Sequence, residues 1–241
     1  MNESTKKKLP SVSAPVMVLT LPVSGQKIKY RPFVIKEQKA LLLAQESKDA
    51  DTVLETIKEV ISSCTNGTLE FTKVPTADLA YFFLQLRIAS VGPEVRFSIP
   101  CVECGSDNVI NMSLNDVTID ASNVKTEIKI TDTVGIKFKL PTVDDALDVD
   151  GTDSKSIKLL YSLIEYIYDE DSVYQKSDYT EEEFRDWIEN LNDSQVAKIQ
   201  AFVESIPTLK HELKFSCSSC NAEQSRLLEG LHNFFRLDLD S

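Results

Sequence analysis

Two Cys-x-x-Cys pairs, Cys101–Cys104 and Cys217–Cys220, constrain this chain more than any other feature in it. Two thiolates two residues apart on a tight turn can both face one metal ion, so each pair supplies half of a tetrahedron. The residue after each pair is Gly105 or Asn221, the types that tolerate a positive φ in such a knuckle. Short zinc ribbons separate their pairs by ~15–20 residues. Here Cys217 lies 113 positions after Cys104, so a shared site has to be assembled by the tertiary fold. The expectation is one structural Zn²⁺ per chain on Cys101, Cys104, Cys217 and Cys220. A closed set of four cysteines leaves no coordination position for a substrate.

Hydrophobic periodicity gives an α+β chain in two pseudo-repeats, each running from a β-hairpin through helices to a strand that enters a knuckle. The first spans 16–120. It has a hairpin over 17–33, helices over 35–45, 52–64 and 76–90, and a strand through Val95, Phe97 and Ile99 into Cys101. Thr52, with Glu55 reaching back, is read as the cap of the second helix. The second repeat spans 121–241. It has strands over 125–130 and 136–140, a short helix near 144–147, and a long helix over 153–168 with Ile157, Leu160, Tyr161, Ile164 and Ile167 as its stripe. A helix over 193–205 follows, capped by Asp193 or Ser194, with Val196, Ile199, Phe202 and Val203 inward. Residues 1–15 read as a mobile tail. The strands that enter the knuckles align as Arg96–Cys101 against Glu212–Cys217.

Hydrophobic residues make up 42% of the 241, enough for a substantial core. The net charge of −12 disfavours binding to phosphate backbones. Much of the acidity falls between Asp144 and Asp193; it reads as solvated helix surface, with a docking face for a basic partner as the sharper alternative. No stretch reaches the ~20 apolar residues of a membrane span, and no apolar run follows Lys6–Lys8 as in a signal peptide. An odd cysteine count of 5 in an intracellular chain favours metal over disulfides, with Cys64 left as a core residue of its helix. Two redox-active pairs and an iron–sulfur cluster are the competing chemistries. His211, next to the second knuckle, could support the metal but reads first as an ordinary structural histidine. No sequence pattern for nucleophilic, phosphate-binding or metalloprotease chemistry occurs. No catalytic residue and no small-molecule substrate are therefore expected.

An ordered set of segments then carries a resemblance: Tyr30–Leu42, Cys101–Cys104, Ile136–Pro141 and the closing Leu228–Phe235. Together they resemble the baseplate hub proteins of T4-like contractile-tailed phages, over about Gln26 to Phe235. The resemblance implies a non-enzymatic hub subunit, or a factor needed to assemble the hub, with other baseplate proteins as partners. Its place would be the virion tail baseplate, assembled in the host cytoplasm. Phe234, Phe235 and Leu237 are candidate partner anchors, because aromatic side chains dominate interface energetics. An assembly chaperone absent from the finished virion and a thiol redox protein are the alternatives.

Overall fold

The computed structural model describes residues 12, 14–47, 49–122, 124–143, 145 and 160–230. Strands β1 (Met17–Thr20) and β2 (Lys27–Tyr30) form the expected first hairpin, antiparallel with Met17 opposite Tyr30. Helices α1 (Ile35–Glu46), α2 (Ala50–Thr65) and α3 (Thr76–Val91) follow. The cap of α2 is Asp49, whose carboxylate accepts from the Thr52 N–H at 3.0 Å. Thr52 therefore sits inside the first turn, not at its start. Two residues in the left-handed region, Asn66 and Gly67 (φ 52° and 69°), end the helix.

The β2–α1 junction is held by one carboxylate. Glu37 takes a fork from Arg31 at 2.6 and 3.0 Å, the Ser63 hydroxyl at 2.6 Å and the Val34 N–H at 2.8 Å. Arg31 dominates, and the group is held at about 2, below its ordinary 4.5. A carboxyl lowered in the folded state stabilises the fold above about pH 4.5 and loses that contribution as the pH falls toward 2. The Arg31 side chain is 27% exposed, so solvent screening reduces the loss to about 2 kcal/mol. Urea midpoints measured from pH 6 to pH 2 should fall more steeply for the wild type than for Glu37→Gln. Parallel curves would contradict this account.

Helix α3 is buried on two sides and joins two cores. Leu79, Phe82, Phe83 and Leu86 pack with Ile28, Tyr30, Ile57 and Ile61 in the first. Ala80 and Leu84 pack into a second with two long hairpins. One is β3 (Glu94–Pro100) with β4 (Asp107–Ser113). The other is β10 (Leu209–Ser216) with β11 (Glu223–Glu229), extended by the short β5 (Thr118–Ile119) along β10. Val95, Phe97, Ile110 and Met112 thus share a core with Leu209 and Leu213. Hairpins more than 100 residues apart in sequence meet because neither can bury its apolar face alone.

The third core lies under a four-stranded antiparallel sheet in the order β6 (Glu127–Lys129), β7 (Gly135–Phe138), β8 (Ile164–Tyr168), β9 (Val173–Gln175). Helices α4 (Glu181–Glu189) and α5 (Asp193–Ser205) cover it, and Phe138 stacks on Phe202 at 4.3 Å. Here the helix expected over 153–168 is corrected. Residues 160–163 are helical, but Ile164 and Ile167 lie in the interior strand β8. The segment Ile164-Glu165-Tyr166-Ile167-Tyr168 is β-branched and aromatic, and ladders on both edges decide its state. Ile157 and the helix expected near 144–147 lie wholly or largely outside the described residues.

Helix α5 is capped by Asn192, not by Asp193 or Ser194. Its inward face is Ile199 and Phe202, while Val196 and Val203 are 40% and 44% exposed. The acidic segment 169–186 forms β9, a short 3-10 turn and the start of α4, whose cap is Thr180. No helix among the described residues is long and apolar enough to cross a membrane. The 1–15 tail falls largely outside the described residues, and Phe234, Phe235 and Leu237 fall outside them altogether.

Candidate metal centre

The two Cys-x-x-Cys pairs occupy the turns of the two long hairpins. Strand β3 delivers Cys101 and β10 delivers Cys217, each one residue past the last strand pair. The turns match bond for bond. The Cys101 N–H donates to the Ser106 carbonyl and the Gly105 N–H to the Cys101 carbonyl, both at 2.9 Å. In the second turn Cys217 donates to Ala222 at 2.9 Å and Asn221 to Cys217 at 3.0 Å. Gly105 and Asn221 take φ of 72° and 58°, the left-handed conformation anticipated for those positions.

The four sulfurs converge. Cys101 Sγ lies 3.8 Å from Cys220 Sγ, Cys104 Sγ lies 3.7 Å from Cys217 Sγ, and all four fall within 4.8 Å of one another. A tetrahedron with ~2.3 Å metal–sulfur bonds has edges of ~3.8 Å, whereas a disulfide needs ~2.05 Å. The geometry suits four ligands around an ion. The first cysteine of each pair is buried and the second exposed, so the centre sits at the end of the second core with one side toward solvent.

The thiols of the cluster differ in their surroundings. The Cys220 and Ser219 N–H groups stabilise the Cys217 thiolate and pull that thiol to about 6. The Ser106 hydroxyl and N–H lower Cys104. Cys220 is the reverse case: the Ala222 N–H pulls it down, but Cys104, desolvation and its other thiol neighbours outweigh that and push it up to about 12. Four thiolates this close repel one another, and a bound dication removes that penalty. Both pairs sit in hairpin turns, not at a helix N-terminus where redox thiolates are activated.

Two side chains that the sequence did not single out join the two hairpins. Asn108 Oδ1, on β4, accepts from the Ser218 N–H at 2.8 Å and lies 3.1 Å from its hydroxyl. Gln224 Oε1, on β11, accepts from the Val102 N–H at 3.3 Å. Each acceptor stands seven positions after the first cysteine of its own hairpin. Each donor stands one position after the first cysteine of the other. The exchange is reciprocal, as a local two-fold axis requires, and both amides are buried. A sequence signal existed: Asn108 is a polar residue in phase with the inward-facing Ile110 and Met112.

Asn108→Leu should leave the Ser218 N–H without its acceptor and release the second knuckle from its register. Groups that orient metal ligands contribute ~10–100-fold in affinity. A loss of at least about tenfold is expected, read by competition with a chromogenic chelator. Unchanged affinity would mean that the knuckles need no such bracing.

His211 does not reach the cysteines; its Nδ1 lies 3.2 Å from the Asp116 carbonyl oxygen. Cys64 is buried in the first core, 3.9 Å from Arg31 Nη1, and burial pushes its thiol up to about 11. It stands apart from the four, as its helical stripe implied.

Comparison with known proteins adds one finding. The family described as T4 bacteriophage base plate protein matches residues 14–236. No curated protein and no solved structure gives a significant match. The matched region covers both hairpins, both knuckles and all three cores, and the chain belongs to the T4 bacteriophage base plate protein family, with a structural role in the phage baseplate.

Proposed function

We propose that this chain is a non-enzymatic component of the baseplate hub, needed for baseplate assembly, and that one zinc ion on Cys101, Cys104, Cys217 and Cys220 cross-links its two halves. The observation that carries the metal reading is the convergence of four sulfurs within 4.8 Å, with the two pairs across the hairpins at 3.7 and 3.8 Å, between two turns with matching hydrogen bonds. Zinc suits it because four thiolates in paired knuckles form a closed, redox-inert structural site. The hub assignment rests on the resemblance of the segments quoted above, within a family whose members are base plate proteins. The matching knuckle hairpins also support a duplication extended over 16–120 and 121–241, with each half contributing one pair of ligands.

Neighbouring hub and baseplate proteins are the partners in this reading. The chain works in the virion tail after assembly in the host cytoplasm, without nucleic acid or a small-molecule substrate. Elemental mass spectrometry of the purified protein tests the metal: about one zinc per chain is expected, and iron or no metal would overturn it. Mass spectrometry of purified virions tests the place. The chain should be present at fixed stoichiometry; its absence would favour an assembly chaperone that leaves before completion.

A further inference from the structure

The third core carries a cavity that the metal centre does not use. It has a volume of about 390 Å³ and lies between β8–β9 and α4. Tyr174, Tyr179, Phe184 and Trp187 are aromatic walls, over Val134 and Ile167. Two carboxylates, Asp169 and Glu183, complete the lining.

Both carboxylates are fixed in place. Asp169 accepts from the N–H groups of Asp171 and Ser172 and from the Tyr174 hydroxyl, at 2.7–2.9 Å. Glu183 accepts from the Thr180 N–H and hydroxyl at 2.8 and 2.9 Å. These bonds hold both below the ordinary carboxylate range, so both are ionised at neutral pH. Among the described residues neither is ion-paired. The two cations of the segment are engaged elsewhere: Lys176 donates to the Tyr161 and Ser162 carbonyls, and Arg185 bonds Glu181. From Asp169 to Glu189 they stand against 9 carboxylates.

We infer that this cavity seats a basic side chain, arginine or lysine, carried by a protruding segment of a neighbouring protein. The aliphatic stem would pack on the aromatic walls, and the charge would face their π-clouds and the two carboxylates. A cation over an aromatic face gains ~0.5–2 kcal/mol, and a carboxylate adds charge-assisted hydrogen bonds. An acidic segment would be repelled by the same surface. The inference requires neither the metal nor the hub assignment.

Trp187 is the only tryptophan in the chain, so its fluorescence reports the cavity directly. The full-length protein is titrated with the peptide acetyl-Gly-Ser-Arg-Ser-Gly-amide, with its lysine and glutamate counterparts, and with guanidinium chloride. A saturable change with the arginine and lysine peptides, absent with the glutamate peptide, is expected. Glu183→Gln keeps the helix cap, since glutamine serves in a capping box, and should weaken binding at least about threefold. Tyr179→Ala, at an aromatic wall that is 40% exposed, should do the same without emptying the core. Equal response to the glutamate peptide, no saturation, or unchanged binding by both variants would overturn the inference. So would guanidinium binding as tightly as the arginine peptide, which would leave a small-cation pocket only.

Discussion

Removing the metal is expected to unfold much of the second core, and Cys217→Ser should do so as severely as chelation. An ion held by the four cysteines would close no local loop. It would tie the β3–β4 turn to the β10–β11 turn, and those hairpins share one apolar core with α3. Metal binding free energy in such a site is folding free energy, about 10–16 kcal/mol for zinc in small domains. Net stability of a domain is only about 5–15 kcal/mol. Calorimetric melting with and without a strong chelator should therefore differ by more than about 10 °C, a shift several kcal/mol would produce in a domain of this size. Cys64→Ala is the control. It removes a core thiol that is not a ligand, so metal content should stay at the wild-type level while the midpoint falls modestly. If Cys217→Ser melted with the wild type, the four-sulfur cluster would carry no structural metal.

The second large effect should come from Asp78, a carboxylate 0% exposed in the first turn of α3. Its two oxygens accept from the Val23 and Ser24 N–H groups, each at 2.8 Å, and so pin the β1–β2 turn to the helix. Hydrogen bonds to a charged group contribute about 1.5–3 kcal/mol each. Ser24 is exposed and can turn to water, which recovers part of that. Asp78→Ala should cost about 3 kcal/mol in urea unfolding, and Asp78→Asn about half, because the amide keeps one acceptor. Equal, small losses for both would show that the turn is held by its own backbone bonds. Asp78 did not stand out in the sequence: an aspartate in the first turn of a helix is ordinary there, where the dipole favours it. Only the packing of the hairpin against α3 turns it into a buried tether.

The two long hairpins bring four sulfurs from distant parts of the sequence within 4.8 Å of one another. The aromatic walls of the cavity and its two carboxylates lie within an acidic stretch of the chain, from Asp169 to Glu189.

What the sequence determined by itself was local. The knuckles were legible because turn chemistry resides in a few adjacent residues: an alternating strand, two cysteines, then Gly105 or Asn221. Helices α1, α2 and α3 were legible to within a few residues, because apolar spacing and the Asn66–Gly67 stop act within a few turns. The tertiary structure decided the rest, wherever two local signals competed or a partner was distant. Ile164 and Ile167 fit a helical stripe, but they share a face of β8 through a register shift against β7, and the ladders to β7 and β9 settle the segment as a strand. Val196 and Val203 fit an inward stripe but lie on the open side of α5, since the sheet covers only a narrow face. The convergence of the four sulfurs depends on a core shared across 113 positions, and the amides that brace it, Asn108 and Gln224, find their partners only across that distance.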